Sequence, residues 1–215
     1  MNYKAVLFDL DGTLLDTLED LADSMNAVLA RLGAPQHPVP AYRYFVGDGV
    51  LELCRRVLPA DRRDEATVKT AAAAMGDEYS KRWAEKTRPY PGIPELLDTL
   101  TERRVKMAIL SNKNNNFTKL CVEKLLGRWR FDMVQGLDET IHKKPHPSGA
   151  IAVARRLKIA PADFLYLGDT NTDMKTAVAA GMFPVGALWG FRTAEELTAN
   201  GAKVLISKPA DLLSL

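Results

Sequence analysis

Two carboxylates follow the first apolar segment of the chain. Residues 5–8 form a run without polar side chains, which is typical of a strand buried on both faces, and Asp9 and Asp11 come directly after it. Acidic groups at the end of a core strand cost stability unless a charged partner binds there. The segment therefore indicates a site for a cation or another charged ligand, and Gly12 behind it permits a sharp turn of the chain.

Polar side chains also follow two later strands, which the sequence predicts at 105–110 and 164–167. Ligands of a doubly wound parallel sheet bind beyond the carboxyl ends of its strands. We therefore expect these side chains to lie at the same edge of the sheet as the first two acids. They are Ser111, Asn112, Asp169 and Asp173, and a loop at 143–147 adds Lys144 before a proline.

This set of side chains suits phosphoryl transfer. Attack on phosphorus needs a nucleophile, a proton donor for the leaving oxygen, and cations or hydrogen-bond donors around the equatorial oxygens. Four carboxylates near one point would repel one another as water leaves the site, which calls for a hard divalent cation. Mg²⁺ fits, because it prefers oxygen ligands and keeps waters and a phosphate oxygen among them.

The segments that must position these residues alternate between strand and helix after residue 86. Such alternation predicts an α/β fold, in which helices cover both faces of a doubly wound parallel sheet. The predicted helices are 93–103, 116–126, 148–157, 172–180 and 193–199, and the predicted strands are 105–110, 133–134, 164–167, 182–188 and 204–206.

Residues 17–86 interrupt this alternation, because they contain no convincing strand. Apolar residues at helical spacing predict helices at 18–32, 50–58 and 62–86. We therefore predict a catalytic α/β core made of residues 1–16 and 87–215, with residues 17–86 inserted as an all-helical cap domain. Such a cap would exclude water from the site and contact the leaving group.

The composition argues against several classes of partner. The formal net charge is +2 and the basic residues are scattered among acids, whereas nucleic acids and membrane surfaces demand a concentrated basic face. No leader is evident and no stretch approaches the roughly 18 apolar residues of a membrane span. We expect a cytoplasmic protein in which Cys54 and Cys121 are buried thiols.

Taken together, the motifs resemble those of the haloacid dehalogenase superfamily, in its phosphatase branch. The likeness covers essentially the whole chain and implies that superfamily's Rossmann-like core. The segments 45–50 (FVGDGV) and 189–197 (WGFRTAEEL) more narrowly resemble phosphoglycolate phosphatases and their close relatives. The four motifs stand in order as Asp9 to Thr13, Ser111 to Lys113, Lys144 with Pro145, and Gly168 with Asp169 and Asp173.

The resemblance implies a catalytic role for three residues. Asp9 would be the nucleophile that forms an aspartyl phosphate. Asp11 would protonate the leaving alcohol and later take a proton from the attacking water. Lys144 would neutralise the developing charge and keep the two acids ionised, with Lys143 as the alternative for that role.

The resemblance also implies a set of ligands for metal and phosphate. Mg²⁺ would be held by Asp9, the main-chain carbonyl of Asp11, and Asp169, with support from Asp173. The phosphoryl oxygens would be bound by Thr13, Ser111 and Asn112. Two of these assignments have structural alternatives, because Ser111 with Asn112 could cap a helix and Asp173 could stabilise the first turn of one.

Within the predicted cap, Gly47, Asp48 and Gly49 form a turn that opens a helix. Main-chain NH groups at a helix start could receive an anionic substrate end such as a carboxylate, although a simple helix-entry turn would have the same sequence. Arg43 is a further candidate for substrate binding. The expected substrate is a small phosphorylated metabolite, with 2-phosphoglycolate as the first to consider.

Several activities of the same superfamily remain open at this point. A sugar-phosphate mutase of the β-phosphoglucomutase type uses the same nucleophile, and a pyrophosphatase or nucleotidase shares the core motifs. A dehalogenase is disfavoured because carbon–halogen displacement needs no acid at position 11. A non-catalytic protein on this fold would be expected to lack one of the motif residues, and all are present. The chain could be a monomer or a homodimer.

Overall fold

The computed structural model describes residues 3–215 and contains one large parallel sheet. Its six strands are arranged in the order β5-β4-β1-β6-β7-β8, and all neighbouring strands are parallel. Two further strands, β2 and β3, form a separate two-stranded sheet. The strands are β1 (Ala5–Phe8), β2 (Leu15–Asp16), β3 (Arg88–Pro89), β4 (Lys106–Asn114), β5 (Met133–Leu137), β6 (Phe164–Gly168), β7 (Phe183–Ala187) and β8 (Val204–Ile206).

Helices connect the strands of the large sheet, as parallel pairing requires. Short 3-10 helices lie at Val39–Ala41, Ala60–Arg62, Pro161–Asp163 and Pro209–Ser214. The α-helices are α1 (Leu18–Arg31), α2 (Tyr42–Phe45), α3 (Val50–Val57), α4 (Glu65–Arg82), α5 (Ile93–Glu102), α6 (Asn115–Leu125), α7 (Ser148–Leu157), α8 (Asn171–Ala180) and α9 (Ala194–Ala199). Within the described residues no helix is both long and apolar enough to cross a membrane.

Strand β1 lies in the middle of the sheet and fixes where the site forms. All four of its residues are buried, which agrees with a segment that has no polar side chains. The last residue, Phe8, pairs with Ile109 of β4 on one side and with Leu167 of β6 on the other. Strand β6 ends one residue beyond this level and β4 continues to Asn114, so the residues that follow β1 and β6 lie beside the polar end of β4 at one edge.

The core on one face of the sheet is built from alternate strand residues and from two helices. Ala5 and Leu7 of β1 pack there with residues of α7 and α8, because successive strand side chains point to opposite faces. The helical contribution consists mainly of alanine and valine, which lets the helices approach the sheet closely. The predicted fold class, a doubly wound parallel sheet with helices, is confirmed.

The chain divides into two compact units. One comprises the described part of Met1–Leu15 together with Pro89–Leu215 and contains the large sheet; the other is Asp16–Arg88. The predicted boundaries, 16/17 and 86/87, lie within two residues of these. The second unit contains four α-helices, with α4 packed against α1 and α3. Its role as a cap stays a prediction.

Several elements differ from those predicted: β2 and β3 were not predicted, and β5 extends through Leu137. Strand β4 continues through Asn114, because its polar end pairs with Leu137 of β5 after a register shift between Leu110 and Asn114. The short helix α2 was not predicted, and its buried Tyr42 is held by a hydrogen bond from its hydroxyl to Asn26. The helix predicted over 62–86 is restricted to α4, whose N-cap Asp64 accepts a hydrogen bond from Thr67.

Candidate active site

Asp9 lies at the end of β1 and is almost completely buried. Its main-chain NH donates to Leu167 O of β6 at 2.9 Å, which continues the strand pairing by one residue. Its Oδ1 lies 2.9 Å from Lys144 Nζ, but this ion pair lacks hydrogen-bond geometry, and no donor among the described residues hydrogen-bonds to that oxygen. Asp9 Oδ1 is therefore a buried acceptor whose close polar neighbour is the ammonium of Lys144.

Lys144 is the buried cation of the site. Its Nζ donates to Asp173 Oδ1 at 2.6 Å and to Leu110 O at 3.1 Å, besides the ion pair with Asp9. Burial lowers the pKa of Lys144, but the carboxylates of Asp173 and Asp9 raise it by more, so the net shift is upward and the ammonium stays charged. The next peptide bond, Lys144–Pro145, is cis.

Asp173 is fixed on all sides in the first turn of α8. One carboxylate oxygen accepts from Lys144, and the other accepts from the Thr170 hydroxyl at 2.6 Å and the Thr170 NH at 3.1 Å. Thr170 in turn accepts from the Asp173 NH, which completes a capping box. Gly168 leaves room for this side chain, because a Cβ there would lie 2.5 Å from Asp173 Cγ.

Asp169 follows β6 and is held by two donors from distant parts of the chain. The Thr13 hydroxyl donates to its Oδ1 at 2.6 Å, and the Phe191 NH donates to its Oδ2 at 2.8 Å. Gly12, with φ of 89°, packs against the same carboxylate, and a Cβ at this position would lie 2.7 Å from Phe191 Cε2. The loop after β1, which contains Gly12 and Thr13, and the loop after β7, which contains Phe191, therefore pack closely around the Asp169 carboxylate.

The three buried acids form a potential cation site. Asp9, Asp169 and Asp173 each offer one carboxylate oxygen, and these oxygens all lie within 4.8 Å of one another. Burial raises the pKa of Asp9 well above its usual value, with Asp173 and Asp169 adding to this and Lys144 opposing it. Burial, followed by Asp173, likewise raises the pKa of Asp169 to about 7.

These residues fit a hard divalent cation. The ligand atoms offered are all carboxylate oxygens, and among the described residues Lys144 is the one ammonium that forms ion pairs with any of the three acids. Burial, followed by the neighbouring acids, raises the pKa values of Asp9 and Asp169, and a bound cation would favour their ionised forms.

Asp11 lies apart from this triad and has a cation of its own. Lys113 Nζ contacts both of its carboxylate oxygens, at 2.9 and 3.1 Å. Asp11 therefore stays at the site's edge, two residues beyond Asp9 and more exposed than Asp9. Its carboxylate is not among the three that converge; the predicted metal contact through its main-chain carbonyl stays a prediction.

Ser111 and Asn112 lie in β4 beside β1 and are both buried. The Asn112 side chain pairs with the main chain of Lys144: its Oδ1 accepts from Lys144 N at 2.8 Å, and its Nδ2 donates to Lys144 O at 3.2 Å. Ser111 Oγ accepts from the Lys113 NH at 3.2 Å. Asn112 thus fixes the loop that carries Lys144, and phosphate binding by either residue stays a prediction.

The predicted substrate-binding residues Arg43, Gly47, Asp48 and Gly49 belong to the second unit. There Asp48 forms an ion pair with Arg56, which also donates to Phe45 O at 3.1 Å. Gly47 and Gly49 both have positive φ, and α3 begins directly after them. These contacts stabilise the turn itself; a contact with substrate is untested.

Sequence reasoning missed several residues that shape the site. Thr170 and Phe191 hold two of the acids, and Lys113 pairs with Asp11 although 102 positions separate them. The serine-asparagine-lysine triplet contained a signal for Lys113, since the triplet follows an apolar strand. No local spacing indicates that the Phe191 NH would reach Asp169.

Comparisons with known proteins agree with this geometry. Residues 6–187 match the family model described as haloacid dehalogenase-like hydrolase. The phosphoglycolate phosphatase of Pseudomonas putida is 33% identical over 98% of this chain and 78% of its own length, and that of Aquifex aeolicus is 31% identical over 99% and 96%.

A solved structure extends the agreement to the whole backbone. The crystal structure of a provisionally assigned phosphoglycolate phosphatase from Lactobacillus delbrueckii subsp. bulgaricus superimposes with a TM-score of 0.92 at 29% identity, covering 99% of this chain and 97% of that one. The motif residues, the parallel sheet and the match over residues 6–187 lead to one conclusion. The chain belongs to the haloacid dehalogenase-like hydrolase family, in the branch that resembles phosphoglycolate phosphatases.

Proposed function

We propose that this protein is a phosphatase that hydrolyses phosphoglycolate through a covalent intermediate on Asp9. The observation that carries the proposal is the state of Asp9: a buried carboxylate at the end of the central strand, with one oxygen that accepts no hydrogen bond and Lys144 at 2.9 Å. The ammonium of Lys144 lowers the pKa of Asp9 and so favours the ionised carboxylate, which is the form that attacks phosphorus.

The reaction divides into two displacements at phosphorus. In the first, an Asp9 oxygen forms a bond to phosphorus while the bond to the substrate's alcohol oxygen breaks, and Asp11 gives its proton to that leaving oxygen. In the second, water attacks the phosphorus of the aspartyl phosphate and Asp11 takes the proton from the water. The bond to Asp9 then breaks, which releases inorganic phosphate, restores the Asp9 carboxylate and leaves Asp11 protonated for the next cycle.

Lys144 supports both displacements by its fixed position. The Lys144 ammonium is a positive charge next to Asp9, and the Asn112 side chain fixes the Lys144 main chain through two hydrogen bonds. A preorganised ammonium needs no reorganisation when negative charge develops on the phosphoryl oxygens. Thr13, Ser111 and Asn112 are the proposed donors to those oxygens.

Mg²⁺ is the proposed cofactor. Asp9, Asp169 and the main-chain carbonyl of Asp11 would hold it, with Asp173 in support, and it would neutralise charge on the phosphoryl group when bound. The clustering of three buried acids supports this assignment. Thr13 and Phe191 keep the Asp169 carboxylate oriented toward the triad.

The choice of substrate rests on the relatives. Several of them, at 31 to 34% identity over at least 90% of this chain, are named phosphoglycolate phosphatase. The turn at 47–49 and Arg43 remain the proposed binding elements for the substrate carboxylate, since both offer donors suited to an anion. We also propose that the protein is cytoplasmic and is a monomer or a homodimer.

A panel of phosphate esters tests the substrate directly. Phosphate release would be measured with Mg²⁺ for phosphoglycolate, hexose phosphates, nucleotides and pyrophosphate. The proposal predicts the highest kcat/KM for phosphoglycolate. It also predicts no phosphate release from any ester once Mg²⁺ is removed by a chelator. Isomerisation of a hexose phosphate without net phosphate release would instead identify a mutase, and preference for pyrophosphate or a nucleotide would move the substrate class.

A further inference from the structure

We propose that Lys113 is a positioning residue for Asp11, and that the leaving group's protonation depends on it. The inference rests on the proposed function, because it assumes that Asp11 donates a proton to the leaving oxygen. It adds a residue with a defined role to the site. In this arrangement the nucleophile and the acid each have a lysine of their own.

The contact between the two side chains is close and shielded. Lys113 Nζ lies 2.9 and 3.1 Å from the two carboxylate oxygens of Asp11, so it donates hydrogen bonds to both of them. The side chains are 8% and 18% exposed respectively, whereas most of the ion pairs on this protein's surface are far more open. A pair with so little solvent holds its geometry better than an exposed pair does.

The backbone of Lys113 is itself fixed by its neighbours. Its NH donates to Ser111 Oγ at 3.2 Å, and its carbonyl accepts from the Thr118 hydroxyl at 3.2 Å. Gly136 of β5 packs against the same carbonyl, where a Cβ would approach to 2.7 Å. The Lys113 side chain therefore extends from a backbone segment that its neighbours hold in place.

An irregularity in β4 determines where the backbone of Lys113 lies. The register between β4 and β5 shifts between Leu110 and Asn114. Bulges of this kind re-aim side chains, and they are over-represented next to active sites. Here the irregular segment carries Ser111, Asn112 and Lys113 together, so one local distortion delivers all three to the edge where β1 ends.

The two lysines serve different acids. Lys144 contacts Asp9 and Asp173 and lies deep in the site, whereas Lys113 contacts Asp11 at the rim. Asp11 must present its carboxyl group first to the leaving oxygen and then to water. A counter-ion that touches both oxygens fixes the position of the Asp11 side chain, and one of these oxygens carries the proton before the first step.

The test compares two kinds of leaving group in the Lys113→Met variant. An alkoxide needs a proton as it leaves, whereas a nitrophenolate does not. We expect kcat/KM for an alkyl phosphate to fall at least about tenfold, since general acid catalysis contributes roughly 100-fold or more. We expect kcat/KM for p-nitrophenyl phosphate to change much less.

Lys106→Met is the matched control. Lys106 lies at the opposite end of the same strand and pairs with Asp132 at 2.8 Å, on an exposed surface. This variant should leave both substrates unaffected. Lys113→Arg should recover most of the loss, because it retains the charge, and Lys113→Gln provides a smaller change should the methionine variant fail to fold.

The double variant separates positioning from phosphate binding. On an Asp11→Asn background, Lys113→Met should cause no further loss for the alkyl substrate, because the lysine acts through that acid. Equal losses for both leaving groups, or a full additional loss on the Asp11→Asn background, would overturn the proposal. If the unmodified enzyme hydrolyses no phosphate ester, the proposed function itself has failed.

Discussion

Asp173 differs from the other two buried acids because its carboxylate has protein partners on both oxygens. Lys144 binds one oxygen, and Thr170 binds the other through its hydroxyl and its NH. Asp9 has an oxygen without a hydrogen bond, so the two acids are suited to different tasks. We infer that Asp173 mainly orients Lys144 and caps α8, while Asp9 meets the ligand.

Replacing Asp173 with alanine should therefore reduce stability even without metal. The change leaves Lys144 buried with one fewer counter-ion and removes a helix cap, and breaking a buried pair costs roughly 3–5 kcal/mol. Urea unfolding in the presence of a chelator would measure the loss. Asp163→Ala, which removes the exposed pair with Lys4, should cost less than about 1 kcal/mol. Equal stability of Asp173→Ala and the unmodified protein would contradict this role.

The sequence predicted that Asp9, Asp169 and Lys144 would lie at one edge of the sheet, but it predicted only part of their contacts. Asp9, Asp169 and Lys144 follow strands or a linking loop, and strand ends of a parallel sheet meet at one edge. Their convergence therefore follows from the topology. The contact of Lys113 with Asp11 depends on side-chain direction after a bulge, which no periodicity encodes.

At the level of elements, Asp20 joins the two ends of the second unit. This residue lies in the first turn of α1 and is almost completely buried. Its carboxylate accepts from the NH groups of Lys86 and Thr87 and from the Thr87 hydroxyl, at 2.7 to 3.1 Å. The segment that enters the unit is thereby bound to the segment that leaves it.

The Asp20→Ala variant should lose about 2–4 kcal/mol of stability. The change strips buried donors of their acceptor, and each buried donor left unsatisfied costs about 1–3 kcal/mol. Chemical unfolding followed by circular dichroism would measure the effect. Asp23→Ala, one turn later on α1, removes only an exposed pair with Lys86 and serves as the control. A loss no greater than in Asp23→Ala would show that the carboxylate does not hold the two segments together.

Most elements were predicted at nearly their observed positions, because their signals are local. Helix α7 was predicted over the same residues as observed, and strand β6 to within one residue. Strand β4 was predicted too short, since its polar residues from Ser111 to Asn114 read as a loop. They form a strand because β5 supplies partners, and a single sequence does not reveal that pairing.

At the scale of the whole molecule, the site's charge predicts a coupling between cation binding and folding. Asp9, Asp11, Asp169 and Asp173 would carry four negative charges against two positive charges from Lys113 and Lys144, which leaves two negative charges. One divalent cation would balance these. The unfolded chain has no such cluster, so the cation should favour the folded state.

Thermal unfolding with and without Mg²⁺ would measure this coupling. At a concentration 100 times the Kd, binding should add about 2.7 kcal/mol to the free energy of unfolding. Asp169→Asn should abolish the gain, whereas Asp98→Asn, at a surface pair with Arg128, should retain it. The same gain in Asp169→Asn as in the unmodified protein would rule out this acid as a ligand.

Family membership follows from the whole chain, because the match spans both units. The family model matches residues 6–187, and the relatives align over nearly all of this chain. The predicted superfamily and its phosphatase-like branch are thus confirmed. The comparisons do not test substrate contacts, so the roles of Arg43 and of the turn at 47–49 stay predictions.

The most direct measurement looks for phosphate on Asp9 during turnover. The enzyme would be mixed with ³²P-labelled phosphoglycolate and Mg²⁺, quenched with acid within the first turnover, and mapped by peptide. We expect label on the peptide containing Asp9, lost on treatment with hydroxylamine and absent in a folded Asp9→Asn variant, whose turnover should fall by several orders of magnitude. Label on a different residue, or near-normal turnover of Asp9→Asn, would contradict the account.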